Sequence, residues 1–182
     1  KEFKKLLHQG TLRHSYPHSW RSKAPLIFRN TPQWFISMDK KDLREKALKS
    51  IDETIFYPPQ GQTRLRSMIE TRPDWCVSRQ RVLGVPLPLF VNKKTEQPLR
   101  DIKVINRIAD IYEKEGSDTW FTEDPKRFLG DDYSINDYDQ IQDVVEVWFD
   151  SGSTHAFCLE KREDLKWPAS MYLEGSDQHR GW

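Results

Sequence analysis

The apolar residues of this chain come in short runs with prolines between many of them. Leu26-Ile-Phe, Trp34-Phe-Ile and Leu87-Pro-Leu-Phe-Val are such runs, and Pro17, Pro25, Pro32, Pro58, Pro59 and Pro73 interrupt the sequence around them. Each proline fixes its own φ, removes a backbone donor and pushes the residue before it toward extended geometry. The chain is therefore cut into short strands and short helices, a mixed α+β pattern. Apolar residues make up only 36% of the chain, but seven Trp, nine Phe and six Tyr are among them. Rings of that size can supply a core, which excludes a disordered chain. At 182 residues the sequence is one domain or a large part of one.

Periodicity places the elements. Lys1 to Gln9 reads as a short amphipathic helix stopped at Gly10, and Asp39 as the cap of a helix reaching Ile51. Tyr57-Pro-Pro breaks that helix, and a second is expected over Thr63 to Thr71, with Leu65, Met68 and Ile69 inward. Trp75-Cys-Val and Leu87 to Val91 read as strands around a polar Ser78-Arg-Gln-Arg. The strongest helical pattern runs from Asp101 to Glu115, with Ile105, Ile108, Ala109 and Tyr112 inward and Gly116 as its end. The polar, acidic stretch from Gly130 to Gln142 reads as a surface loop. Asp143 to Phe149 reads as a strand, and Asp150-Ser-Gly-Ser as the loop after it.

No apolar run approaches the roughly 18 residues needed to span a membrane, and no signal peptide is visible, so no membrane partner is expected. Cys76 and Cys158 give neither a disulfide framework nor zinc-ligand spacing, which points to a cytoplasmic, reducing location and to no metal site. His14 and His18 are four apart, but Pro17 between them argues against a helical metal pair. The net charge of +1 hides a polarity. Residues 1–100 carry twenty Lys and Arg against nine Asp and Glu, whereas residues 101–182 carry nine against nineteen. The basic half could face a polyanion; equally, the two halves could attract one another or simply be solvated.

The closing stretch is the densest in chemistry. Ser170-Met-Tyr-Leu reads as a short buried strand, and Glu174-Gly-Ser-Asp-Gln-His-Arg-Gly-Trp follows it. Ligands of open α/β sheets sit beyond the carboxyl ends of strands, where such a strand-to-helix turn presents polar groups. The same spacing also fits an ordinary helix start capped by Ser176 or Asp177.

Four phrases occur in a fixed order: Arg29-Asn-Thr-Pro-Gln-Trp-Phe, Arg72-Pro-Asp-Trp-Cys-Val-Ser-Arg-Gln-Arg, Val147-Trp-Phe-Asp-Ser-Gly-Ser and Leu173-Glu-Gly-Ser-Asp-Gln-His-Arg-Gly-Trp. That series resembles the bacterial isoleucyl-tRNA synthetases, a family of class I aminoacyl-tRNA synthetases, from His14 onward. The resemblance implies an α/β fold class: the connecting region of a class I catalytic domain running into the second half of a Rossmann fold. It implies three segments, with 1–22 the junction returning from the editing insertion, 23–142 the connecting part of the catalytic body, and 143–182 the start of the second Rossmann half. The signatures His-Ile-Gly-His and Lys-Met-Ser-Lys-Ser are absent from the sequence. Both ends are expected to be cuts within a longer enzyme, with editing of mischarged valine by an upstream domain. Two departures stand out. Leu83 occupies a position usually aromatic, and the paired Cys found after Pro88 in some relatives is missing.

The family joins isoleucine to ATP and passes the acyl group to tRNA(Ile), so ATP with Mg2+, isoleucine and tRNA(Ile) are the implied substrates, and the enzyme is expected to be a monomer. No cofactor is expected on this segment and no side-chain nucleophile is needed, since the substrate carboxylate attacks the α-phosphate. By the resemblance, Trp148 and Trp182 flank the isoleucine side chain, and Glu174 and Asp177 accept hydrogen bonds from the ribose. Gly175 lets the backbone approach, and Gln178 faces the amino group. Asp150 either supports this site or caps a turn, and His179 positions or is structural. Trp148 read without the family is a core ring in a buried strand. Arg64, Arg66, Arg72, Arg79 and Arg81 could meet tRNA phosphates, though surface solvation or internal ion pairs explain them nearly as well. The alternatives are a valyl or leucyl synthetase, and a non-catalytic tRNA-binding or structural module.

Overall fold

The structure is a computed structural model that describes residues 7–175 and Gln178. The chain forms two compact units, Lys1–Pro32 and Gln33–Trp182. In the first, Tyr16 donates its hydroxyl to the Leu26 carbonyl at 2.7 Å, and its ring meets His14, His18 and Phe28 edge-on. A single antiparallel bridge joins His18 to Pro25. Leu26-Ile-Phe, expected as a strand, is exposed and forms none: Leu26 N–H reaches the Pro17 carbonyl at 3.1 Å, and the prolines on that path supply no further ladder donors. The helix expected over Lys1 to Gln9 lies mostly outside the described residues; Leu7 to Gln9 carry no helix.

The second unit begins with β1 (Phe35–Ile36), paired antiparallel with β2 (Trp75–Cys76). Between them lie α1 (Leu43–Glu53) and α2 (Gln60–Glu70), packed as a helical hairpin. Asp39 precedes a 3₁₀ turn over Lys40–Asp42, and its carboxylate pairs with Arg44 at 3.0 Å instead of capping α1. Arg44 also donates to the Ile69 and Glu70 carbonyls at 2.6 and 3.2 Å, satisfying orphan acceptors at the end of α2. Gln62 donates to the Ile51 carbonyl at 3.0 Å, so each helix closes an end of the other.

The core lies around α3 (Ile102–Glu115), α4 (Thr119–Thr122), α5 (Pro125–Leu129) and the antiparallel pair of β4 (Phe90–Asn92) with β5 (Tyr138–Gln140). Trp120 is its centre, with Phe90 and Phe128 centroids at 5.0 and 4.9 Å. Its indole N–H donates to Ile141 at 2.8 Å, which gives a buried ring the polar partner it needs. α3 forms as its periodicity predicts, but the inward stripe is Val104, Ile108 and Ile111. Ile105 is half exposed, because the expected face is rotated by about one residue from the true i, i+4, i+7 row. Asp101 caps the helix, accepting from the Lys103 N–H and the Tyr133 hydroxyl, both at 2.8 Å.

Three further expectations are corrected. The stretch 130–142 is not only a surface loop: it contains β5, and Tyr133 and Tyr138 pack against the core. Asp143 to Phe149 is not one strand. β6 spans only Val144–Val145, and α6 (Val147–Gly152) takes both the rest of the apolar run and the expected Asp150 loop. The reason is Glu146, whose side chain accepts from the Trp148 N–H at 3.0 Å and starts a helix there. Ser170-Met-Tyr-Leu forms no strand and is not buried; Met171, Tyr172 and Leu173 are exposed. The architecture is therefore mixed, with helices and three two-stranded antiparallel sheets among the described residues. Among the described residues no helix is long and apolar enough to cross a membrane.

Candidate functional site

β3 (Ser78–Arg79) follows β2 after a single residue and pairs antiparallel with β6. On its other side β6 meets the 85–87 segment, through Val145 N–H to Val85 at 2.7 Å and Leu87 N–H to Asp143 at 2.9 Å. Val144 is thus clamped from two sides and fully buried. Gly84 is required here: a Cβ at that position would lie 2.9 Å from the Val144 side chain. Leu83 beside it is exposed, so its departure from an aromatic leaves this packing intact.

That clamp fixes the start of α6. The Glu146 N–H donates to Val77 at 2.8 Å, and the residue is 6% exposed. One oxygen caps Trp148; the other lies 3.9 Å from the Arg79 guanidinium. Arg79 also donates to the Cys76 and Ser78 carbonyls at 2.9 and 2.8 Å. A buried carboxylate stays charged only where such partners replace water. Behind this pair, Ser78 receives the Trp34 N–H at 2.9 Å and donates to Gln33 at 2.7 Å, tying β3 to the segment that leads into β1.

A cleft of about 680 Å³ opens over these groups, between the end of α2 and the start of α6. Arg72, Trp75, Cys76, Arg79, Glu146 and Trp148 are among the residues that line it. Trp148 is 36% exposed, on a helix and at a cleft wall, rather than a core ring in a strand. Phe149 beside it packs on Trp75, another residue of the cleft, with ring centroids 6.1 Å apart. An indole, a guanidinium and a carboxylate sharing one cleft suit a small ligand with an apolar part and charged ends.

The residues singled out from sequence fall into separate groups. Trp148, Arg72 and Arg79 share the cleft; Arg64, Arg66, Arg81, Asp150, Glu174, Gly175 and Gln178 do not line it. Arg66 is held by Asp52 at 3.0 Å and Glu70 at 3.3 Å, whereas Arg64 and Arg81 are exposed. Asp150 lies within α6, and partial burial raises the pKa of its carboxyl above the usual range. Glu174 is half-buried, near enough to Tyr172 to help burial push that phenol up. Gln178 donates its N–H to the Gly175 carbonyl at 3.1 Å. A Cβ on Gly175 would come within 2.6 Å of the Gln178 amide oxygen and push that side chain aside. Asp177, His179 and Trp182 lie outside the described residues. Sequence reasoning missed Glu146, although a lone acid inside Val144-Val-Glu-Val-Trp was a visible signal.

The profile of the tRNA synthetases class I (I, L, M and V) matches residues 4–182. The chain is 70% identical over 182 residues to an isoleucine–tRNA ligase of Pelagibacter ubique (strain HTCC1062), covering 100% of this chain and 20% of that protein. It is 60% identical over 184 residues to that of Brucella abortus biovar 1 (strain 9-941), covering 98% and 19%. It is 57% identical over 178 residues to that of Gluconobacter oxydans (strain 621H), covering 97% and 18%. The chain thus spans about a fifth of the length of the curated relatives it matches. With its family profile matched over nearly every residue, the chain belongs to the class I tRNA synthetases (I, L, M and V).

Proposed function

We propose that this chain is a segment of an isoleucine–tRNA ligase and carries one wall of its isoleucyl-adenylate site. The observation that supports this most is Trp148, an indole on a cleft wall beside Arg79 and Glu146, in a chain 70% identical to one such ligase. The enzyme activates isoleucine with ATP and transfers it to tRNA(Ile). The substrate carboxylate attacks the α-phosphate, so the protein's task is to position the reactants and stabilise charge.

In this reading the Trp148 and Trp182 indoles flank the isoleucine side chain. Glu174 and Asp177 accept hydrogen bonds from the ribose hydroxyls, and Gly175 lets the backbone come close. The carbonyl oxygen of Gln178 receives the substrate ammonium. Asp150 and His179 support this shell. Such a pocket rejects larger side chains but discriminates against valine, one methylene smaller, by only about 1–3 kcal/mol; isoleucine against valine is the standard illustration of that limit. An editing domain elsewhere in the enzyme removes the valine that passes. Mg2+ arrives with the ATP phosphates. Among the described residues no cluster of three or more His, Cys, Asp or Glu is placed to hold a metal ion.

The segment would comprise a junction from the editing insertion at 1–22, a connecting region at 23–142 and the entry to the second Rossmann half at 143–182. Contact with the tRNA acceptor end falls best to the exposed Arg64 and Arg81, since Arg66 and Arg79 are bound to internal partners. The whole enzyme would work in the cytoplasm as a monomer. The test is ATP–pyrophosphate exchange by the full-length enzyme with isoleucine, valine and leucine in turn. Isoleucine should give the highest kcat/KM, with valine about 10–200-fold lower. A preference for valine or leucine would overturn the assignment.

A further inference from the structure

We propose that Glu146 is a positioning residue for amino-acid recognition, acting through Trp148. The inference deepens the reading of Trp148 as a wall of the isoleucine pocket and rests on it. Glu146 is at once the last buried position after β6 and the cap of α6. Its N–H is fixed on Val77, one carboxylate oxygen accepts from the Trp148 N–H at 3.0 Å, and the other faces Arg79 at 3.9 Å. Arg79 is itself held by the Cys76 and Ser78 carbonyls. The carboxylate therefore ties the backbone nitrogen that carries the Trp148 ring to a sheet pair that Val144 locks in place. α6 has only six residues, too short to hold its own register without such an anchor. Where the indole stands in the cleft is thus set by a charge two residues away, which need not touch the substrate.

The role can be separated from mere structural support in the full-length enzyme. Glu146→Ala should raise KM for isoleucine about five- to tenfold while leaving KM for ATP unchanged. Glu146→Asp, a shorter side chain that can still accept from the Trp148 N–H, should return KM to within about twofold of the parent value. Trp148→Ala should raise KM for isoleucine by itself. Adding Glu146→Ala to it should then change nothing further, because the two act as one unit. If Glu146→Ala yields no folded enzyme, Glu146→Gln is read instead. Its amide NH2 would oppose Arg79, and KM for isoleucine should rise about threefold. An unchanged KM for isoleucine in Glu146→Ala, or in Glu146→Gln where that is read instead, a loss confined to kcat, or additive effects in the double variant would overturn the proposal while the reading of Trp148 stands. An unchanged KM in Trp148→Ala would overturn that reading, and this proposal with it.

Discussion

At the scale of single residues, several positions owe their identity to one physical requirement. Asp101 caps α3 with its carboxylate on the Lys103 N–H and the Tyr133 hydroxyl, and these bonds hold its pKa below the ordinary carboxylate value. A lowered folded pKa contributes stability that is present above the ordinary value, near 3.9, and is lost as pH falls through the lowered one. Thermal denaturation between about pH 6 and pH 2 should therefore show a smaller acid loss for Asp101→Asn than for the parent chain, since Asn caps without titrating. Asp150 has the opposite sign. Burial raises its pKa, so its contribution is fullest below the ordinary value and is lost as pH rises through the raised one. Gly130 takes φ 72°, and a Cβ there would collide with the Arg107 guanidinium that holds the Phe128 and Leu129 carbonyls. Gly130→Ala should cost about 1–3 kcal/mol in urea denaturation, through backbone strain together with the displaced arginine.

At the scale of elements, the sequence was informative where periodicity is long and silent where partners decide. α1, α2 and α3 announce themselves through repeated apolar positions and stop signals, and all three are present. Val147-Trp-Phe fits a strand as well as a helix over three residues; only the cap from Glu146 settles it. β5 was hidden for the same reason, since Tyr138–Gln140 becomes a strand by pairing with β4, a partner some fifty positions away, and no local pattern marks it. The site divides likewise. Trp148, now at the cleft wall, was singled out by a family resemblance, whereas the Arg79–Glu146 pair required the pairing of β3 with β6 to bring it together. The core cluster around α3 is the element most open to test. Trp120→Ala removes a fully buried ring and its bond to Ile141, and should cost about 3–5 kcal/mol in equilibrium urea unfolding. A loss below about 1 kcal/mol would mean that this ring is not the centre of the packing.

At the scale of the whole molecule, the division of charge along the chain has a structural counterpart. The basic half holds both the α1–α2 hairpin and β3, and several of its arginines spend their donors on acids or carbonyls within the fold. The chain spans about a fifth of its curated relatives, and the sequence holds neither class I nucleotide signature, so this chain alone should give no isoleucine-dependent ATP–pyrophosphate exchange. The most direct test of the site is a structure of the full-length enzyme bound to a non-hydrolysable isoleucyl-adenylate analogue. The Trp148 ring should lie within about 4.5 Å of the isoleucine side chain, in the cleft that also holds Arg79 and Glu146. An analogue bound with its side chain remote from Trp148, and that cleft filled by solvent alone, would contradict it.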